Sequence, residues 1–404
     1  MPAFTGPGRA ADPTTGGPQS LPSARVFGDH SRLALRRQRA LIPLENTLPR
    51  PSINRTLQTL ALAVAGLTSV SATHALNFVF TDVGTSPMTA AQLGAFQAAG
   101  NYWSSKLTDN VTVYVNIAFN NLGPNILGST GSNFTTASYS SLRSALVSDA
   151  SSATDSSAVA SLQAGPALSF MATQGDLTSR FDNDGSTNNT LLGLTTANAK
   201  ALGYAVSTNS ANPDASITFA TGYASSFAYT RVGGVPSDKI DFITVAEHEI
   251  GHALGFVSGV DDIDYCAGAN NVCGLSNTAD RFEGDWWYEP LDLFRYSAAG
   301  VLDVRVGGSP YFSVTGGATS LASFSTGATH GDGWQASHFG PNQVNLMRAF
   351  VGNGQSYDAS AADLAAFDAI GWNLAVAVPE PATYALMLGG LAAVGAAARR
   401  RRSA

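Results

Sequence analysis

Charge is scarce in this 404-residue chain: Asp, Glu, Lys and Arg make up only 13% of it. Its surface has to be built largely from Ser, Thr, Asn and the 41 glycines. The little charge present is uneven. Met1–Ala75 holds eight Arg against three acids, and the tail from Ala377 holds four Arg against Glu380. Of the 22 basic and 29 acidic side chains, this leaves ten and 25 in Leu76–Val376, a net −15. So acidic a stretch, with no basic stripe, argues against nucleic acid or anionic lipid as a partner. Cysteine is rarer still, with Cys266 and Cys273 alone. In an exported chain two cysteines this close are expected to form a disulfide stapling one short loop. A pair of thiolate zinc ligands is the alternative, but the spacing fits no common site. Histidine is nearly as short: of six in the chain, Leu76–Val376 contains His248, His252, His330 and His338.

Two of those four carry the densest chemical pattern in the sequence. His248-Glu249-Ile250-Gly251-His252 places two imidazoles four residues apart, on one face of a helix. Two imidazole nitrogens supply half of a tetrahedral zinc site. Glu249, one step round the helix, is placed to take a proton from an activated water and pass it to a leaving amine. Val245, Ile250, Ala253 and Leu254 are expected to hold this helix in a core. Gly251 between the ligands is read as leaving the metal side uncrowded. Gly255 supplies the left-handed turn that ends the helix. The alternative reading of the motif is an amphipathic helix with two solvated or core histidines. Ser237 is the expected N-cap.

Taken in order, residues 1–50 are rich in Pro, Gly and Arg and read as a disordered leader or an over-extended start. Residues 51–75 read as a signal peptide: Arg55, the apolar run Leu57–Val70, then Ser71-Ala72-Thr73-His74-Ala75 as a cut site. Residues 76–376 carry alternating patterns of both kinds. Strands are expected at Leu76–Phe80, Val111–Ile117 and Ser216–Ala220, and helices at Thr89–Leu107, Ser140–Ala150, Ser156–Gln163, Thr195–Leu202 and Ser360–Ile370. In the first helix Leu93, Phe96, Ala99 and Trp103 form the apolar face. In the last, Ser360 caps, Asp363 favours the N-terminal dipole, Leu364, Phe367 and Ile370 are buried, Gly371 stops the helix and Trp372 packs back. Ile217–Ala220, just ahead of the histidine helix, is the candidate edge strand for binding extended substrate. Asp182-Asn183-Asp184-Gly185-Ser186 is rich in oxygen ligands, so calcium is considered, but it lacks the spacing of an EF-hand loop and a polar turn fits better. Asp285-Trp286-Trp287-Tyr288 reads either as aromatic lining of a cleft or as core.

A catalytic zinc site needs a third protein ligand and an open position. The residues leave His338, His330 and the acids Asp261, Asp262, Glu283 and Glu289 as candidates. Here the chain resembles leishmanolysin-like metzincins, and more closely a family of bacterial exported metalloproteases ending in a sorting tail. The resemblance rests on His248–Phe256, on Ser337-His338-Phe339 after a long insert, and on Leu346-Met347. It implies zinc, with His338 as third ligand, Met347 as the residue of a Met turn beneath the metal, and a substrate that is a protein or peptide. It also implies an α+β metzincin-like fold, with a mixed sheet and helices in the N-terminal half, the active-site helix, the Met turn and a C-terminal helix. Two departures are Ser258, a poor ligand three residues after Gly255, and Arg348-Ala349 after Met347, with no proline.

Val378-Pro379-Glu380-Pro381, the mostly apolar run Ala382–Ala398 and Arg399–Arg402 close the chain. The run is just long enough to span a membrane, with its arginines inside. The order resembles the PEP-CTERM sorting signal of Gram-negative bacteria. It implies an exosortase partner, transient anchoring in the inner membrane by residues 377–404, and a periplasmic, cell-surface or extracellular location. The reading is therefore an exported zinc metalloendopeptidase. The competing one is a non-catalytic surface or matrix protein with a structural zinc site.

Overall fold

The computed structural model describes residues 24–25 and 76–375, except 270, 271 and 277. Of the expected leader only Ala24–Arg25 is described, as a short strand antiparallel to Phe350–Val351; the rest of it, the signal peptide and the span expected at 382–398 lie outside these residues. No described helix is long and apolar enough to cross a membrane. The fold is a mixed α+β arrangement.

Its first half is built on a four-stranded sheet. Strand β1 (Asn77–Asp82) leads through helix α1 (Ala90–Lys106) to a parallel neighbour, β2 (Thr112–Asn120). Strand β3 (Gly128–Ser132) is followed by β4 (Phe134–Ser138), helices α2 (Tyr139–Asp149) and α3 (Ala153–Ser161), a hairpin of β5 (Phe170–Thr173) and β6 (Ser179–Asp182), then β7 (Leu191–Thr195) and α4 (Thr196–Ala201). Strand β8 (Ala215–Ala220) then returns between β2, which it meets in parallel, and β3, which runs antiparallel. The edge on this side is therefore β3 and not Ile217–Ala220, which is an inner strand. The sequence Gly-Ser-Thr-Gly-Ser of β3 has no apolar alternation to announce it.

Helix α1 forms where its apolar spacing and its caps agree. Thr89 and Gln92 make a capping box, and Phe96, Ala99 and Trp103 are buried. Leu93, read as part of that face, is 41% exposed, because the buried stripe begins one turn later. Phe96 meets the rings of Phe219 on β8 (5.1 Å) and Phe242 (5.3 Å). Each such ring contributes roughly 1.5–3 kcal/mol against about 1 kcal/mol for a cap, so packing rather than capping fixes the helix on the sheet.

The histidine helix, α5 (Phe242–Ala253), is buried along its whole length. Asp241 caps it, accepting from the Ile243 and Thr244 N–H groups, and Ser237 does not. The physical reason is that Ile240–Asp241 pairs as a short strand with Phe227–Ala228, which keeps the chain extended as far as Asp241. After α6 (Val260–Cys266), the insert forms a second small sheet around β9 (Arg295–Ala298), and α7 (Ala361–Ala369) closes the fold. Trp103 and Trp372 donate their indole N–H groups to the Glu247 and Leu254 carbonyls, fastening α5 from both sides. Leu364 in α7 is only half-buried, whereas Phe367 and Ile370 are fully buried. Cys266 and Cys273 are joined in a disulfide. Trp286, Trp287 and Tyr288 are buried, so the cleft-lining reading gives way to the core one: Trp286 lies against Gly193, where no Cβ would fit.

Candidate metal centre

Helix α5 ends in a Schellman turn. The Phe256 N–H bonds the Gly251 carbonyl and the Gly255 N–H bonds the His252 carbonyl, with Gly255 at φ +116°. This turn sends the Phe256 carbonyl back to His252 Nδ1, at 2.6 Å. The Leu346 carbonyl does the same for His248 Nδ1 at 2.8 Å, and the Gln335 carbonyl for His338 Nδ1 at 3.2 Å. A carbonyl can only accept, so all three rings carry their proton on Nδ1 and present a bare Nε2 lone pair.

Those three Nε2 atoms converge, with separations of 3.0 Å (His248–His252), 3.2 Å (His248–His338) and 3.3 Å (His252–His338). With no proton between them these contacts are not hydrogen bonds; three lone pairs face one point. Burial pushes His248 down to about 4, and burial together with the charge of His248 pushes His338 well below the ordinary range, so these two rings stay neutral near pH 7. Two nitrogens at ~2.0–2.1 Å from one zinc ion and at a tetrahedral angle stand about 3.3 Å apart, so the donor set fits that metal.

The other ligand candidates are not brought here: among the described residues the three histidines alone form this cluster. His330 is exposed. Asp261 accepts from the Ala336 and Ser337 N–H groups, and Glu283 contacts Arg180 and Ser186. Glu289 caps the short turn Pro290–Phe294, Ser258 donates to Asp292, and Asp262 is buried outside the cluster.

His338 owes its place to contacts with no local signature. Asp261 holds the backbone just before it, the buried Arg295 guanidinium donates to the Ala336 and Ser325 carbonyls, and the Ser325 N–H donates to the His338 carbonyl. Met347 is buried, and its N–H and that of Leu346 donate to Asp363. Asp363, in the first turn of α7 where it favours the helix dipole, thus also holds this turn. Gly251 does not leave open space: a Cβ there would come within 2.5 Å of Met347 Sδ, which fills the gap.

Glu249 is fully buried, and Thr130 on β3 donates to its Oε2 at 2.6 Å. Gly128, two residues earlier, has to lack a side chain because a Cβ would stand 2.7 Å from Glu249 Oε1. The edge strand thus rests on the carboxylate of the motif. Sequence reasoning found neither residue, and nothing in the local pattern points to them.

Among known proteins, residues 377–402 match the PEP-CTERM protein-sorting motif. No curated protein and no solved structure matches the chain. The match marks an exported protein with a C-terminal sorting signal for exosortase.

Proposed function

We propose that this protein is a zinc-dependent endopeptidase of metzincin type that hydrolyses peptide bonds of extracellular proteins. The observation that carries the reading is the convergence of three buried imidazole Nε2 atoms, two from the helix that carries Glu249 and one from the insert. His248, His252 and His338 would hold zinc, which when bound activates water and polarises a carbonyl. The Glu249 carboxylate takes the proton from the attacking water and delivers it to the departing amine nitrogen. Thr130 keeps that carboxylate aimed.

Strand β3 takes the substrate-binding part that the sequence reading gave to Ile217–Ala220. Leu127 and Asn133 are bonded across to Ala220 and Asp214, so alternation turns the N–H and C=O groups of Gly128, Thr130 and Ser132 away from β8. An extended peptide can add there as a further strand.

Dialysis against 1,10-phenanthroline is expected to remove one zinc per chain and stop hydrolysis of an unfolded protein such as casein, with stoichiometric zinc restoring it. A metal-free protein that still cleaves casein would overturn the proposal. One tightly held zinc with no hydrolysis would favour the structural-zinc matrix protein, a reading the sorting tail also suits. A second expectation concerns the Glu249 support. Thr130→Val should lower kcat roughly 10-fold or more with KM little changed, since a hydrogen bond to a charged group is worth ~1.5–3 kcal/mol. Thr130→Ser should recover most of the loss. Equal defects in the two variants would assign Thr130 to packing instead.

A further inference from the structure

A narrow recess beside the candidate metal centre carries a positive charge that the proposed chemistry does not use. It lies between α5 and the chain that follows Met347. Thr244, Val245 and His248 line one side, and Leu346, Phe350 and Tyr357 the other, together with Arg348. Arg348 is 9% exposed. Its guanidinium stacks on the Phe350 ring, 3.8 Å from the centroid, with the Tyr357 ring centroid at 5.3 Å.

This guanidinium is poorly supplied with acceptors. A guanidinium has five N–H groups to place. Nη2 donates to the Pro341 carbonyl at 3.0 Å and Nη1 to the Tyr357 hydroxyl at 3.4 Å, while among the described residues the buried Nε has no partner. Neither acceptor carries a charge. Taking an ionised group out of water is costly unless an opposite charge comes with it. Other part-buried arginines have one: Arg231 is paired with Asp241 and Glu247, and Arg305 with Asp303. Acids are not in short supply, since Leu76–Val376 has 25 of them against ten bases. The contact to Tyr357 is also the replaceable one. It is longer than an ordinary N–H···O bond, and the hydroxyl gives its own hydrogen to Gln355 Oε1 at 2.6 Å, in an exposed position. An incoming carboxylate can take its place on Nη1.

A second observation shows that extended peptide fits along this side of the recess. Phe350–Val351, two residues after Arg348, pairs antiparallel with the stretch Ala24–Arg25. The main-chain edge beside the guanidinium therefore accepts a strand.

We infer that Arg348 forms a substrate subsite that binds a carboxylate next to the scissile bond, so that cleavage falls beside acidic residues. The recess shares His248 with the metal centre, which places its occupant next to the bond that would be cut. Charge-assisted hydrogen bonds from the guanidinium favour a carboxylate over an amide of the same shape, and the charge disfavours lysine. The inference rests on the peptidase reading for its substrate, but binding can be measured apart from hydrolysis.

The test uses the exported chain carrying Glu249→Gln and loaded with zinc, so that peptides are bound and not consumed. Fluorescent peptides of one sequence carry Glu, Gln or Lys at successive positions, and their affinity is read by anisotropy. At one position Glu is expected to bind ~10-fold or more tighter than Gln, with Lys weakest. Adding Arg348→Met, which keeps the stem against Phe350 and removes the charge, should bring the three peptides together. Arg348→Lys should keep part of the preference, and it decides the assignment if the Met variant does not fold. A purely structural role would weaken all three peptides alike. Loss of the preference on C-terminal amidation would make the terminal carboxylate its source; indifference to amidation would assign it to an acidic side chain. Equal affinity for Glu and Gln at every position would overturn the subsite, as would an Arg348→Met variant that still favours Glu. A Glu preference in binding, with no cleavage of the same peptides by the zinc-loaded wild type, would keep the subsite and remove the peptidase reading.

Discussion

Glu249→Gln is expected to keep one zinc per chain and to lose hydrolysis, with kcat down by ~10²–10⁴-fold, the usual contribution of a positioned acid–base group. The amide has the shape of the carboxylate, so the fully buried position stays filled and the Thr130 hydroxyl still finds an oxygen acceptor. The histidine nitrogens and their carbonyl partners are untouched. What is lost is basicity, because an amide cannot take the proton of the attacking water. Zinc content and circular dichroism of the variant separate this from misfolding. Hydrolysis within a few-fold of wild type would remove Glu249 from the mechanism. A wild type that is itself inactive, with zinc bound, would instead remove the mechanism from this protein.

How much of this arrangement can be read in the sequence depends on the range of the interactions that make it. Helices α1 and α7 and the end of α5 follow from local features, namely Thr89 and Ser360 as caps, the spacing of Phe96, Ala99 and Trp103, and Gly255 where a left-handed residue is required. The errors sit where distant partners decide. Ser237 is a reasonable N-cap until Phe227–Ala228 pairs with Ile240–Asp241 and moves the start to Asp241. Ile217–Ala220 is a reasonable edge until a strand with no apolar residue, Gly128–Ser132, adds outside it. Trp286 and Trp287 read as surface or core equally well until Gly193 offers the face on which Trp286 packs. The support of the candidate centre is the extreme case. Asp261, Arg295 and Asp363 are single polar residues acting on backbone far along the chain, a pattern that leaves no period and no spacing to detect.

The second large effect is expected at His338. His338→Ala should weaken zinc binding by more than ~100-fold, beyond what loss of a merely supporting partner does to a metal site, and should abolish hydrolysis. The geometry leaves no substitute. His330 is exposed, and Asp261 and Glu283 are engaged with other groups. Two imidazoles alone leave zinc two ligands short of a tetrahedron rather than one. The backbone around residue 338 should survive, because Asp261, Arg295 and Ser325 hold it through main-chain groups rather than through the ring. His330→Ala is the control and should bind zinc and cleave casein as the wild type does. Zinc measured by mass spectrometry after dialysis against a micromolar buffered zinc pool decides between them. Full occupancy in His338→Ala would mean that the convergence of the three Nε2 atoms is packing, and would send the third ligand back to the acids that follow Ser258.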